Sequence, residues 1–289
     1  MFGIGAAAAD PVEAMEHPAD GSSSPPGAND WQCAPAAAHP DPVVLVHGTW
    51  DNQNAWDVLA PDLRAAGYCV YSLNYGRDTS SVWGVRPGVY GTGDMRASAR
   101  ELAAFVERVR AATNSARVDI VAHSQGGVVT RQYLRFEGGA DPADPSRNKV
   151  GDVVMIAATN HGTTALDMGR LVHLGSSDGP ADRMVGAVLG TAAAQQVVGS
   201  EFLKRLNAGG DTEAGIRYTV IATRVDQVTT PPESAFLRPG PASRVENLWV
   251  QSFCPADTSG HGSLPRSPTV IRLVKHALDP AFGDLTCAA

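Results

Sequence analysis

Long apolar runs, basic clusters and metal-binding cysteine pairs are missing from this sequence. No window of the 289 residues approaches the run of about 18 apolar residues that crosses a bilayer, so no transmembrane segment is predicted. The formal net charge is -7 and Lys and Arg are not clustered, which argues against a nucleic-acid partner. A phosphate-binding G-x-x-x-x-G-K motif and an internal repeat are also missing, and no ligand cluster suggests a metal or another cofactor. One large α/β domain is expected, since such folds often exceed roughly 200 residues without dividing.

The four cysteines fall as one pair in each terminal third of the chain. Their even number favours two disulfides, Cys33 with Cys69 and Cys254 with Cys287, each stabilising the fold by about 3–4 kcal/mol. None of them shows the C-x-x-C spacing of redox or metal sites. The alternative is four buried free thiols. Because disulfides persist in oxidising compartments, the pattern favours a secreted, extracellular protein.

Residues 1–32 are rich in Ala, Pro, Gly and Ser and follow neither helical nor strand periodicity. They are predicted to form a flexible leader, followed by an α/β domain over residues 33–289. The stretch "GIGAAAAD" is similar to the end of the apolar region and the cleavage site of a secretory signal, of which this would be a remnant. No Lys or Arg precedes Arg64, so the positively charged start of such a signal is missing.

Short apolar runs alternate with helical patterns along the rest of the chain. The predicted strands are "PVVLVHG", "YCVYSLNYG", "VDIVAHS", "VVMIAAT", "YTVIAT" and "NLWVQSF". Asp94 is placed to cap a long helix, and Pro268 lies near the start of the last one. Such alternation predicts a central, mostly parallel sheet with helices on both faces. Residues 163–210 are too long for a simple connection and are interpreted as a helical cap over a pocket or as two ordinary core helices.

The segment "VDIVAHSQGG" places Ser124 between a predicted strand and a predicted helix. "AHSQG" differs by one residue from the G-x-S-x-G nucleophile elbow, because Ala122 stands in place of the first glycine. In that motif, small flanking residues permit a strained turn that lifts the serine hydroxyl above the sheet. Ser124 is therefore predicted to be a nucleophile, the alternative being a serine in an ordinary tight turn.

A nucleophilic serine requires a base, and in folds with this elbow a histidine follows both the serine and an acid along the chain. The histidines after the serine are His161, His173, His261 and His276. His261 lies in the loop "DTSGHGSLP" between the last predicted strand and the last helix, so it is the predicted base. His161 comes too early in the chain, His173 falls in the region of the insertion, and His276 lies inside the last helix.

Asp226 and Asp257 compete as the acid that orients the histidine. Asp226 lies just past the strand "YTVIAT", where open α/β sheets gather functional groups. Asp257 is only four residues before His261, and this short separation hinders a hydrogen bond to the Nδ1 atom of the histidine. Asp226 is therefore the preferred acid, the alternative being an aspartate that only caps a turn.

Acyl transfer also requires hydrogen-bond donors for a tetrahedral oxyanion. In sites of this type, one donor is the N–H after the serine and another comes from the loop after an earlier strand. The backbone N–H groups of Gln125 and of Thr49, in "VLVHGTW", are the predicted pair, and the Thr49 hydroxyl is a third candidate donor. His47 precedes the serine and is interpreted as a residue that shapes this loop.

Seven segments follow one another along roughly residues 33–287: "LVHGTW", "YGTGDMRASARELAAFVERV", "VDIVAHSQGG", "TNHGT", "FLKRLNAGGDT", "YTVIATRVDQVTTP" and "CPADTSGHGSLPRSP". In this order they resemble the secreted bacterial triacylglycerol lipases and esterases (class 2 lipases) of the α/β-hydrolase superfamily. The resemblance implies an α/β-hydrolase fold, a triad of Ser124, Asp226 and His261, and an oxyanion hole of Thr49 and Gln125. The sequence departs from the family in having Gly260 where Asp is frequent, and in lacking the extra cysteines of the insertion.

The predicted function is a serine carboxylic-ester hydrolase that cleaves acyl esters or acylglycerols through an acyl-enzyme. An ester or lipid substrate at a lipid–water interface, a monomeric state and no cofactor are expected. The alternatives are a polyester hydrolase or an acyltransferase on the same triad, and a catalytically silent α/β-hydrolase that serves as a binding module.

Overall fold

A parallel β-sheet forms the centre of the fold. The computed structural model describes residues 20–164, 180–283, 285 and 287. The strands are β1 (Val43–Val46), β2 (Val70–Leu73), β3 (Val118–His123), β4 (Val150–Ile156), β5 (Arg217–Ala222) and β6 (Arg244–Trp249). Their order is β2-β1-β3-β4-β5-β6, and every neighbouring pair is parallel. The predicted parallel sheet is confirmed.

Helices connect the strands and cover both faces of the sheet. Those described are α1 (Leu59–Ala65), α2 (Met95–Thr113), α3 (Gln125–Phe136), α4 (Pro180–Leu189), α5 (Thr191–Gln195), α6 (Glu201–Asn207), α7 (Val250–Phe253) and α8 (Pro268–Leu278). Short 3-10 helices cover Gln53–Trp56, Pro145–Arg147, Pro232–Ala235 and His261–Arg266. The Asp94 side chain caps α2 as predicted, by accepting a hydrogen bond from the Arg96 N–H at 2.8 Å.

Alternate side chains of each strand enter two separate cores. In β1, Val44 and Val46 pack on the face covered by α2, α3 and α6, whereas Val43 and Leu45 pack on the face covered by α1 and α8. All four are fully buried. Each such side chain stabilises the fold by about 1.5–3 kcal/mol relative to exposure. Burial on both faces explains why the strand sequences are almost continuously apolar.

The strand order reverses at β1. β2 lies on one side of β1 and β3 lies on the other, so the connections that leave β1 and β3 run in opposite directions. In open α/β sheets, ligands bind in the crevice at such a switch point, beyond the carboxyl ends of the strands. The loops after Val46 and His123 flank this crevice.

Residues 20–32 pack against the β2 edge of the sheet. Ala28 forms a parallel bridge with Val70, and the Asn29 side-chain oxygen accepts from the Ser72 N–H at 2.9 Å. The predicted flexible leader therefore does not extend through these residues, because their polar groups find partners on an otherwise open strand edge. The earlier residues of the predicted leader lie outside the described part of the chain.

The predicted insertion, residues 163–210, divides into two parts. The apolar side chains of α6 belong to the main core, so this helix fits the alternative of an ordinary core helix. α4 lies nearer the switch point, where Trp50 Nε1 donates to the Leu189 carbonyl oxygen at 2.7 Å. Residues 165–179 lie outside the described residues. Among the described residues of the insertion, the cap interpretation therefore concerns α4 and α5.

The last predicted strand is shorter than the apolar run "NLWVQSF" suggests. The strand ends at Trp249, and the following four residues form the short helix α7. Its C-cap residue, Cys254, is bonded to Cys287, and a second disulfide joins Cys33 to Cys69. Of the helices that the structure describes, none is both long and apolar enough to cross a membrane.

Candidate active site

Ser124 occupies a sharp turn between β3 and α3. Its φ of 54° and ψ of -124° lie in a region that residues with a side chain rarely adopt. The Ser124 N–H donates to the Ile156 carbonyl oxygen at 2.9 Å, which ties the turn to the end of β4. Strain of this kind persists only where the surrounding structure imposes it, and it is typical of a nucleophile elbow.

Close packing against neighbouring atoms explains why Gly126 and Gly127 follow the serine. A Cβ atom on Gly126 would lie 2.3 Å from the Val46 carbonyl oxygen, and one on Gly127 would lie 2.5 Å from the Ala158 Cβ. Only glycine therefore allows α3 to begin against the ends of β1 and β4. The positive end of the α3 dipole is consequently placed beside Ser124, where it favours developing negative charge.

Asp226 and His261 are in direct contact. His261 Nδ1 lies 2.9 Å from Asp226 Oδ2 and 3.1 Å from Oδ1, and both side chains are only 2% exposed. Asp226 Oδ1 also accepts from the backbone N–H groups of Val228 and Thr229, at 2.8 and 2.7 Å. Because a carboxylate only accepts hydrogen bonds, Nδ1 carries the imidazole proton and Nε2 is left as an acceptor. A general base for a serine hydroxyl requires this tautomer.

Asp257, the competing acid, has other partners. Its Oδ1 accepts from the Ser259 N–H at 2.8 Å, and its Oδ2 accepts from the Ser267 hydroxyl at 2.9 Å. It thus organises the loop before His261 and the start of α8. A Cβ atom on Gly260 would lie 3.0 Å from the side-chain oxygen of Gln227, so an amide already occupies the space beside this glycine.

His123 holds the backbone of His261. Its Nε2 lies 3.0 Å from the His261 carbonyl oxygen, and the two rings are 4.8 Å apart. Since a carbonyl oxygen only accepts, Nε2 of His123 carries the proton. Burial lowers the pKa of His123 well below its ordinary value, and a positive charge on His261, when that imidazole is protonated, lowers it further. A neutral imidazole therefore positions His261.

The other histidines after the serine have different environments. His161 Nε2 contacts Asp211 Oδ1 at 3.1 Å, and His276 Nδ1 contacts the Phe282 carbonyl oxygen at 3.1 Å. Neither lines the cavity that contains Ser124. His173 lies outside the described residues.

The loop after β1 contains two groups with shifted pKa values. Burial lowers the pKa of His47 to about 4, and its ring stacks on Tyr75 with the centroids 4.3 Å apart. His47 Nδ1 also contacts the Gly48 carbonyl oxygen at 2.8 Å. This neutral, packed imidazole is consistent with a residue that shapes the loop. Burial raises the pKa of the nearby Asp51 carboxyl to about 7.

A small cavity of about 30 Å³ joins several of the predicted site residues. It is lined by Thr49, Trp50, Ser124, Thr159, Thr163, Ala193, Gln196, Val228 and His261. Gln125 follows the serine at the first position of α3, and neither its N–H nor that of Thr49 donates to another group of the described residues.

A larger open groove of about 640 Å³ beside α4 and α6 contains none of the predicted site residues. In the described ranges, no three His, Cys, Asp or Glu side chains are grouped to hold a metal ion.

Three polar residues of the site were not predicted from the sequence. Thr159 and Gln196 line the cavity; Thr159 begins the segment "TNHGT", to which no role was assigned, and none of the quoted segments contains Gln196. His123 is part of "AHSQG", so the sequence shows that it precedes the serine. Its hydrogen-bond partner, the His261 carbonyl oxygen, lies 138 residues away. Long-range contacts of this kind exist only in the folded chain.

The switch-point crevice, the strained serine turn and the Asp–His contact define an α/β-hydrolase fold. A model of the class 2 lipase family matches residues 40–236, and the chain belongs to this family.

Solved structures of two lipases and an esterase have a similar fold. Lipase B of Aspergillus fumigatus has a TM-score of 0.65 and 23% identity, over 91% of this chain and 58% of that one. Mature lipase BlEst2 of Bacillus licheniformis has a TM-score of 0.51 and 18% identity, over 74% and 86%. Esterase EaEST of Exiguobacterium antarcticum has a TM-score of 0.51 and 16% identity, over 85% and 93%. This chain thus spans little more than half of the Aspergillus lipase, and at these identities the likeness concerns the fold.

Proposed function

We propose that this protein is a serine hydrolase that cleaves carboxylic esters through an acyl-enzyme. Ser124 Oγ attacks the ester carbonyl carbon while His261 Nε2 accepts the hydroxyl proton. The Asp226 carboxylate holds the Nδ1 proton and stabilises the imidazolium that forms. The N–H groups of Thr49 and Gln125 donate to the oxyanion, in a site where water is largely excluded.

The tetrahedral intermediate then breaks the bond to the alcohol oxygen, which takes the proton from His261 Nε2. Water attacks the remaining acyl carbon as the same nitrogen accepts a proton from the water. Collapse of the second intermediate releases the acid and returns the proton to Ser124 Oγ. The cycle consumes one ester and one water and leaves every protein group as it began.

One observation carries this proposal: a serine at positive φ shares a cavity with a histidine that an aspartate holds in the basic tautomer. A serine in an ordinary tight turn needs neither the strain nor such a partner. Membership in the class 2 lipase family points in the same direction.

Acyl esters, acylglycerols among them, are the proposed substrates. The apolar side chains of Trp50, Ala193 and Val228 line the cavity beside Ser124 and would contact an acyl chain. Action outside the cell is proposed because the two disulfides persist in oxidising surroundings.

A fluorophosphonate probe tests the nucleophile directly. The wild-type protein should be labelled at Ser124, whereas Ser124→Ala and His261→Ala should lose labelling and at least about 10⁴-fold of the hydrolysis rate with an unchanged circular dichroism spectrum. Rates on p-nitrophenyl esters of increasing chain length, measured beside emulsified triglyceride, would then rank the substrates. A folded wild-type protein that resists the probe would favour a silent binding module, and wild-type turnover by Ser124→Ala would reject the proposal.

A further inference from the structure

Gln196 connects the end of α5 to the predicted oxyanion loop. Its side chain is buried and lines the same cavity as Ser124 and His261. Three hydrogen bonds hold the side-chain amide: to the Ala192 carbonyl oxygen at 3.1 Å, to the Thr159 hydroxyl at 2.8 Å and to Thr49 Oγ1 at 2.8 Å.

These partners determine which amide atom faces which group. The Ala192 carbonyl oxygen only accepts, so the nitrogen Nε2 must face it. The same nitrogen contacts Thr49 Oγ1, so both of its protons have an acceptor. The oxygen Oε1 then accepts from the Thr159 hydroxyl. A flipped amide would place two acceptors against each other at Ala192.

The direction of the bond to Thr49 has a consequence for its hydroxyl proton. Thr49 Oγ1 accepts from Gln196, so its own proton must point to another partner. Within the described residues, the structure gives this hydroxyl no further partner. The Thr49 side chain lines the cavity beside Ser124, where the oxyanion of an acyl-transfer intermediate would form.

We propose that Gln196 is a positioning residue that orients the Thr49 hydroxyl as a third oxyanion donor. The proposal rests on the proposed ester hydrolysis at Ser124. Donation from Thr159 to Gln196 and from Gln196 to Thr49 forms a chain in which each bond polarises the next, so the Thr49 hydroxyl becomes a stronger donor. The bond strengthens as charge develops on the oxyanion, and its effect therefore belongs to kcat and not to KM.

A double-mutant cycle between Gln196→Met and Thr49→Val tests this coupling. Thr49→Val removes the hydroxyl at nearly constant volume and should lower kcat by about 10²-fold with little change in KM. Gln196→Met leaves the hydroxyl free to rotate and should lower kcat by roughly 10-fold in the wild-type background. It should have no effect in the Thr49→Val background and regain its effect in the Thr49→Ser background. Equal losses in the wild-type and Thr49→Val backgrounds would overturn the proposal, as would an unchanged kcat for Gln196→Met.

Gln196→Glu provides a second variant of nearly the same shape if Gln196→Met does not fold. A carboxylate only accepts, so it would draw the Thr49 proton away from the oxyanion and should lower kcat more than Gln196→Met does. The matched control is Gln195→Glu, since Gln195 Oε1 already accepts from the Met95 N–H at 2.8 Å, at the start of α2, where a carboxylate is favourable. Loss of kcat in Gln195→Glu equal to that in Gln196→Glu would mean that added charge alone is responsible, and would overturn the proposal.

Probe labelling separates this inference from the proposed function. If the probe labels Ser124 but the effects of Gln196→Met and Thr49→Val on kcat are independent of each other, only the proposed role of Gln196 is rejected, and the proposed function stands. Failure of the probe to label folded wild-type protein would reject the proposed function instead.

Discussion

Groups outside the predicted triad hold each of its three residues in place. Two N–H groups fix the Asp226 carboxylate, while the His123 imidazole fixes the carbonyl of His261. The Ser124 turn is held against the end of β4 by the hydrogen bond from its N–H to the Ile156 carbonyl oxygen. A displacement of about 1 Å at such a site can lower a rate about 100-fold, so these anchors matter as much as the groups that react.

Exchanging each aspartate for asparagine separates the two candidate acids. Asp226→Asn should lower kcat by about 10³–10⁴-fold, because an amide can present its N–H to His261 Nδ1 and favour the wrong tautomer. Asp257→Asn keeps an oxygen for the Ser259 N–H and should retain most of the activity. Steady-state kinetics on one p-nitrophenyl ester decide between them. A larger loss in Asp257→Asn would transfer the orienting role to that residue.

The junction of β3 and α3 illustrates how two elements position the predicted nucleophile. α3 starts against the carbonyl groups at the end of β1, and this contact is possible because Gly126 has no side chain. The helix N-terminus therefore stands beside the serine with a favourable dipole, and within the described residues the Gln125 N–H has no acceptor. α5 also contributes to the cavity, through Ala193 and through Gln196, the residue that caps its C-terminus.

A pair of Gly→Ala substitutions tests this packing. Gly126→Ala would place its Cβ 2.3 Å from the Val46 carbonyl oxygen, so the free energy of unfolding should fall by at least about 1–3 kcal/mol and activity should be lost. Gly186→Ala, in α4, would place its Cβ no closer than 3.8 Å to its neighbours and should raise stability by roughly 0.5–1 kcal/mol. Urea unfolding of both variants measures the difference. Equal stability of the two variants would contradict the close contact.

For the molecule as a whole, stability depends on pH through ionisable groups that packing shields from water. His47 and Asp51, in the loop after β1, respond to pH in opposite directions. Unfolded His47 gains a proton below pH 6.5, whereas the folded protein resists this until about pH 4, so its stability falls as the pH falls through that window. Folded Asp51 keeps its proton up to about pH 7, whereas the unfolded chain releases it near 3.8, so stability falls as the pH rises through that window.

Two substitutions isolate these contributions. Between pH 6.5 and 4, the free energy of unfolding of the wild type should fall by about 3 kcal/mol because of His47, since a pKa shift of one unit corresponds to about 1.4 kcal/mol. His47→Asn should remove this decrease. Asp51→Asn should make the protein more stable relative to the wild type as the pH rises from 4 to 7. The free energy of unfolding in urea, measured at each pH, provides both comparisons. Parallel pH profiles of the wild type and both variants would contradict the shifted pKa values.

The parallel sheet and the strand–turn–helix around Ser124 could be predicted because both depend on neighbouring residues. Apolar runs separated by helical patterns require burial on both faces, and the small residues of "AHSQGG" permit a sharp turn wherever the chain folds. The order of a serine, an acid and a histidine can also be read from the sequence. Asp226 was preferred to Asp257 because of their positions relative to a predicted strand end and to His261, and only the structure shows the contacts of each carboxylate.

Some contacts between distant residues were decided by the tertiary structure alone. Residues 20–32 look like a flexible leader because their composition lacks periodicity, yet an open strand edge gives them partners. Gln196 lies 147 residues from Thr49, and His123 lies 138 residues from His261. Hydrogen-bonding groups at such separations meet only after packing of the sheet has fixed their positions, so no local pattern records their pairing.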